Sequence, residues 1–164
     1  MLFRSLADAR VHRHTQVNGG GDVLFNDDPT PRGIAAIAEA HRRFGTTALL
    51  PTLLSDTPAT MRAARDAVEA IAIVDPSVIG LHFEGPFLSP DKAGAHDPEM
   101  LRRPGPGDAE LLTPLRNGAT LVTLAPEQVP ADFLLRSWRV RGCGFRPAIP
   151  WRLMRKPARG SQQG

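Results

Sequence analysis

One short apolar run carries two side chains able to do chemistry. Read as a strand, Val78 to Gly85 alternates its side chains. Ile79, Leu81 and Phe83 fall on one face, and Gly80, His82 and Glu84 on the other. Glu84 closes the run, directly before Gly85-Pro86. In barrel-type parallel α/β architectures, polar residues at the C-terminal ends of strands face the functional mouth. A carboxylate there can hold a divalent cation or act as a general acid or base. The same spacing equally suits a helix-capping or salt-bridged glutamate, and spacing alone does not separate the two. Shortly after it, Gly94-Ala95-His96-Asp97 reads as a loop. A loop histidine beside an aspartate can bind a substrate, although exposed loop histidines are usually inert.

Two other patterns invite chemistry and lack support. His12-Arg13-His14 has the spacing that sets two imidazoles on one side of a strand, as metal sites use. It stands ahead of the first apolar strand pattern, in a basic stretch, which argues against ligation. Gly19-Gly20-Gly21 has the spacing of neither a dinucleotide fingerprint nor a phosphate loop, so it reads as a flexible turn.

The elements that must position these residues alternate short apolar runs with helical patterns, the signature of a parallel α/β protein. Thr30-Pro31 is a helix cap followed by proline at the first helical position. Ile34, Ile37, Ala38 and His41 follow at helical spacing, and Gly45 marks the stop. Thr46 to Leu50 reads as a buried strand. Ser55-Asp56-Thr57-Pro58 opens a second helix with Met61, Ala64, Val68 and Ile71 on one face. Val78 to Phe83 and Ala119 to Leu124 read as further strands. A short helix between them begins near Asp108, buries Leu111, Leu112 and Leu115, and stops at Gly118.

The chain has 164 residues and a formal charge of +3, unevenly placed. All 17 acidic residues lie within the first 132 positions, whereas Phe133 to Gly164 holds 8 basic residues and no acidic one. That tail reads as a disordered basic extension. A nucleic-acid arm or a partly ordered cover for apolar surface are the other readings of it. The single cysteine, Cys143, excludes an internal disulfide framework. No apolar run approaches the ~20 residues needed to cross a bilayer, and the start lacks the apolar core of a signal peptide. A soluble, cytoplasmic chain is expected.

A set of motifs stands in order along the chain: Gln16-Val17-Asn18-Gly19-Gly20-Gly21, Phe25-Asn26-Asp27, Phe44-Gly45-Thr46-Thr47, Leu50-Pro51-Thr52, Gly80 to Leu88, Ala93 to Asp97, and Leu124-Ala125-Pro126-Glu127. The series resembles N-acetylglucosamine-6-phosphate deacetylase, of the amidohydrolase superfamily. The resemblance implies an α/β fold: a partial metal-dependent-hydrolase (β/α) barrel, roughly its first four β/α units. It divides the chain into a non-matching segment 1–14, a barrel domain 15–133 and the tail 134–164. It implies hydrolysis of the acetamido group of N-acetylglucosamine 6-phosphate to glucosamine 6-phosphate and acetate, with one divalent metal, commonly zinc.

By position, Glu84 matches the family's metal ligand, and Ala95 and His96 match residues that contact the sugar. Gln16 and Asn18 stand where many amidohydrolases carry their H-x-H pair, which leaves His12 and His14 four residues too early. A homodimer is implied, with no nucleic-acid or membrane partner. The family's two further histidine ligands and its catalytic aspartate fall beyond the match, so no catalytic residue is assigned. No histidine follows His96. The loss of pattern at both ends is what out-of-frame reading of a family gene would produce, and a chain inactive by itself is expected. Other readings are an amidohydrolase acting on a different N-acyl or cyclic amide, and a non-catalytic basic binding module using the tail.

Overall fold

A computed structural model describes residues 12–130 and 132–133. The expectations for residues 1–11 and for the basic tail lie outside the described residues. Strands β1 (His12–Val17), β4 (Thr46–Leu54), β5 (Gly80–Glu84) and β6 (Ala119–Thr123) form one sheet in the order β1-β4-β5-β6, all parallel. Strands β2 (Gly19–Gly20) and β3 (Val23–Leu24) make a small antiparallel hairpin between β1 and the first helix. The expected α/β class with a parallel sheet is therefore present, as an open sheet whose outer strands, β1 and β6, are mostly exposed or half-exposed.

Local chemistry accounts for the helices. Helix α1 (Pro31–Arg42) begins where the Thr30 hydroxyl accepts the Gly33 N–H, with Pro31 at its first position. Helix α2 (Pro58–Ile71) repeats the device, with Thr57 accepting the Thr60 N–H. Both bury one apolar face, Ile34, Ile37 and Ala38 on α1 and Met61, Ala64, Val68 and Ile71 on α2. Those faces share a single core with Leu49, Leu53, Leu81 and Phe83 of the sheet. Helix α3 is only the four residues Asp108–Leu111, yet Leu111, Leu112 and Leu115 are all buried as the spacing predicts.

Three expectations need correction. The first strand begins at His12, so His12-Arg13-His14 lies within a strand and not ahead of one. Its register against β4 shifts between His12 and Arg13, pairing His12 with Thr46 but His14 with Leu49. Because of that irregularity the two imidazoles do not share one side of the strand, as simple alternation predicts. The strand from Thr46 continues past Leu50 to Leu54, through Pro51. There the Val17 N–H is accepted by the Thr52 hydroxyl, 3.0 Å away. Gly19-Gly20-Gly21 is a defined hairpin and not a loose turn: Gly21 and Asp22 both have φ of 60°, as a type I′ turn requires.

The long connection from β5 to α3 is held by an ion pair. Arg102 donates to Asp108 at 2.6 and 2.7 Å, the Gly105 N–H reaches the same carboxylate at 2.6 Å, and Asp108 is 3% exposed. Burial alone would raise the Asp108 pKa, but these donors bring it below the ordinary value. Asp108→Asn leaves the partly buried Arg102 without its counter-charge and should cost about 3 kcal/mol in urea unfolding. The native pair contributes fully above the ordinary aspartate value of about 3.9, and the contribution fades as pH falls through the depressed native value. Equal loss of stability on acidification in wild type and variant would refute this role.

Candidate functional site at the strand C-termini

The C-terminal ends of the parallel strands gather most of the residues singled out in the sequence. Glu84 ends β5, level with Leu54 of β4 and Thr123 of β6. It is half-buried and caps no helix, and its side chain joins no ion pair or hydrogen bond among the described residues. The capping and salt-bridge alternatives thus find no partner, and its carboxylate stands open.

His82, two residues earlier, is different. It is fully buried, with Nδ1 at 3.2 Å from Thr52 Oγ1 and Nε2 at 2.8 Å from Thr123 Oγ1. The ring braces β4, β5 and β6 from one face and leaves neither nitrogen for a ligand. Burial lowers its pKa, partly offset by the charge of Glu84.

His96 lies in the loop between two single 3-10 turns, Pro90–Lys92 and Pro98–Met100. Its Nδ1 is 2.8 Å from Ser55 Oγ and accepts the Ser55 N–H at 3.2 Å. Because a backbone N–H can only donate, Nδ1 carries the lone pair, and the neutral ring has its proton on Nε2. His96 is thereby pre-set as a donor. Ser55 itself follows Leu54, beside Glu84, so it brings loop and strand end together. Gly85 makes the room: a Cβ there, at φ of 88°, would collide with Ser55 Oγ. Ala95, next to His96, is exposed.

Gln16 and Asn18 flank the last residue of β1. Gln16 is exposed, whereas Asn18 is half-buried with its Nδ2 enclosed and lacking a hydrogen-bond partner among the described residues. An enclosed amide donor of this kind fits an oxygen acceptor. Sequence reasoning missed Ser55, which it read only as part of a helix start. It also missed Asn26, which pairs with the Leu54 N–H and C=O and with Asp56. The Phe25-Asn26-Asp27 motif was the available signal for the second of these.

A zinc site needs three or four donors. Among the described residues no group of three or more His, Cys, Asp or Glu side chains can hold a metal ion. Glu84 offers one carboxylate and His82 is occupied, so the described residues do not fit a complete zinc site.

No protein-family model matches the chain. The N-acetylgalactosamine-6-phosphate deacetylase of Shewanella sp. (strain ANA-3) is 50% identical over 125 residues, which are 74% of this chain and 31% of that protein. The N-acetylglucosamine-6-phosphate deacetylase of Haemophilus influenzae is 32% identical over 119 residues, 72% of this chain and 31% of the relative. The crystal structure of N-acetylglucosamine-6-phosphate deacetylase from Pasteurella multocida superposes with a TM-score of 0.69 at 31% identity, over 77% of this chain and 35% of that one. The chain is a relative of the N-acetylglucosamine-6-phosphate deacetylases. It spans about a third of the length of the relatives it matches. These deacetylases are hydrolases, and the resemblance read from the Glu84 and His96 motifs agrees with them.

Two outcomes follow from this geometry. Gly85→Ala and Ser55→Ala should both change the His96 imidazole nitrogen signals in NMR, the first by displacing Ser55 and the second by removing its hydroxyl. Unchanged His96 signals in both would show that Ser55 does not hold the ring. For His82, the unfolded chain takes up a proton near the ordinary histidine value of about 6.5, while the native ring resists it. Stability should therefore fall as pH drops below that value, until the native ring also protonates. The slope should flatten in His82→Gln, and an identical slope would contradict the assignment.

Proposed function

We propose that the chain supplies part of an N-acetylhexosamine 6-phosphate deacetylase, with Glu84, Ala95 and His96 on the substrate-facing rim. The reaction cleaves the amide C–N bond of the acetamido group, giving acetate and the free amino-sugar phosphate. The observation that carries this reading is the docking of His96 on Ser55 beside an unpaired Glu84. It places a fixed N–H donor and an open carboxylate at one end of the sheet. A donor set on His96 Nε2 suits an oxygen of a sugar phosphate, and the enclosed Asn18 amide suits another.

The parallel order β1-β4-β5-β6 follows chain order, as the first four strands of a (β/α) barrel would. We take residues 15–133 as that portion. The complete enzyme is read as a cytoplasmic homodimer using one divalent metal, zinc, to which Glu84 would contribute one ligand. No helix of the described residues is long and apolar enough to cross a membrane. N-acetylglucosamine 6-phosphate is the substrate the motifs imply. The 50% identity to a relative named for N-acetylgalactosamine 6-phosphate favours the other epimer as a second reading.

The chain alone should release no acetate from either epimer, even with added zinc. One carboxylate leaves the cation mostly hydrated, and the resemblance puts the family's catalytic aspartate, the proton carrier, beyond the matching residues. The check is an acetate assay on purified protein free of full-length enzyme, with Glu84→Gln as control. Turnover above that control would show that this chain holds a complete site.

A further inference from the structure

The Asn26 side chain ties the turn after β3 to the end of β4. Strand β1 pairs with β4 only as far as Pro51, and the Asn26 carboxamide takes over beyond it. Its Oδ1 accepts the Leu54 N–H at 3.0 Å, and its Nδ2 donates to the Leu54 carbonyl at 3.3 Å and to Asp56 Oδ2 at 2.9 Å. Those partners decide which way the amide points, because a backbone N–H only donates and a carbonyl only accepts. The side chain thus offers Leu54 one acceptor and one donor, as the peptide group of a neighbouring strand does.

Asn26 is itself held in place. Phe25, fully buried, donates its N–H to the Asn18 carbonyl at 2.8 Å, and the Leu24 carbonyl accepts the Asp27 N–H at 3.1 Å. The contacts of Asn26 fall on both neighbours of Ser55, Leu54 before it and Asp56 after it. Ser55, buried between them, carries the N–H and the hydroxyl on which His96 Nδ1 docks, at 3.2 and 2.8 Å. The two groups act differently on the ring. A hydroxyl can donate or accept and so permits either tautomer, whereas the backbone N–H permits only a lone pair on Nδ1. The tautomer therefore depends on where the Ser55 peptide group points.

We propose that Asn26 is a positioning residue for His96. It acts through Ser55, bracketing the peptide group whose N–H fixes the imidazole tautomer and leaves Nε2 as the donor. The use of that donor for a sugar phosphate rests on the proposed function. The effect of Asn26 on the ring does not, and it is read without substrate.

The test is NMR of the full chain, following amide exchange at Ser55 and the imidazole nitrogens of His96 and His82. Asn26→Ala should speed Ser55 exchange about tenfold, the loss of one or two net hydrogen bonds, and move the His96 signals toward a mixture of tautomers. The His82 signals, set by Thr52 and Thr123, should stay in place. Asn26→Asp keeps the acceptor for Leu54 but sets two carboxylates against each other at position 56, and should move His96 in the same direction. Adding Asp56→Asn to it returns a donor and an acceptor to that contact with their roles exchanged, and should bring the His96 signals back toward wild type. Unchanged Ser55 exchange and His96 signals in Asn26→Ala would overturn the proposal. So would equal displacement of His82, which marks a general loosening of β4, or a paired variant that restores nothing.

Discussion

The register of β4, β5 and β6 is the constraint on which the candidate site depends. Side chains on a strand alternate, so slipping β5 by one residue would exchange its two faces. Leu81 and Phe83, both fully buried against the helices, would then turn to the mouth side, and Glu84 would enter the core. Burying a bare carboxylate there costs far more than the apolar contacts could return. The hydrophobic pattern therefore fixes Glu84 at the rim, level with Leu54 and Thr123. His82 reinforces the same register from the opposite face, because its two nitrogens meet hydroxyls on both neighbouring strands.

What was legible in the sequence was what local chemistry decides. Thr30-Pro31 and Thr57-Pro58 announce helix starts because the cap and the fixed proline φ act within three residues. The alternation from Val78 to Gly85 correctly separated Leu81 and Phe83 from His82 and Glu84. Strand β1 was not legible, since His12 to Gln16 are polar and exposed, and only backbone pairing with β4 makes them a strand. The extension of β4 through Pro51 was hidden for a related reason: proline lacks a ladder donor, and beside it the Val17 N–H of β1 is accepted by a threonine hydroxyl of β4. The roles of Ser55 and Asn26 rest on partners at least 28 residues away, which no spacing rule reaches.

The loop that carries His96 is rigid for reasons that spacing also hides. The Arg102 N–H bonds the Pro86 carbonyl at 3.1 Å, its guanidinium lies 5.2 Å over the Phe87 ring, and its charge is matched by Asp108. These contacts tie the two ends of the 86–108 connection to each other, and Ser55 holds its middle. A loop tied at three points presents Ala95 and His96 with little loss of entropy on binding a ligand, which is what a substrate-facing position requires.

The same architecture explains why one carboxylate falls short of a metal centre. A cation gains tight binding when donors approach from several directions and displace its water. Donors borne by a four-stranded open sheet approach from one arc, and here the arc is nearly spent. His82 has been drafted into bracing the sheet, Asn18 presents an enclosed amide, and Gln16 sits exposed on the outer strand. Leu121 on β6 is 40% exposed on the same face as His82, so that face of the sheet is not closed over by the described residues. Under the proposed function, recognition of the sugar phosphate and activation of its amide would be physically separable in this fold, with Glu84, Ala95 and His96 serving the first.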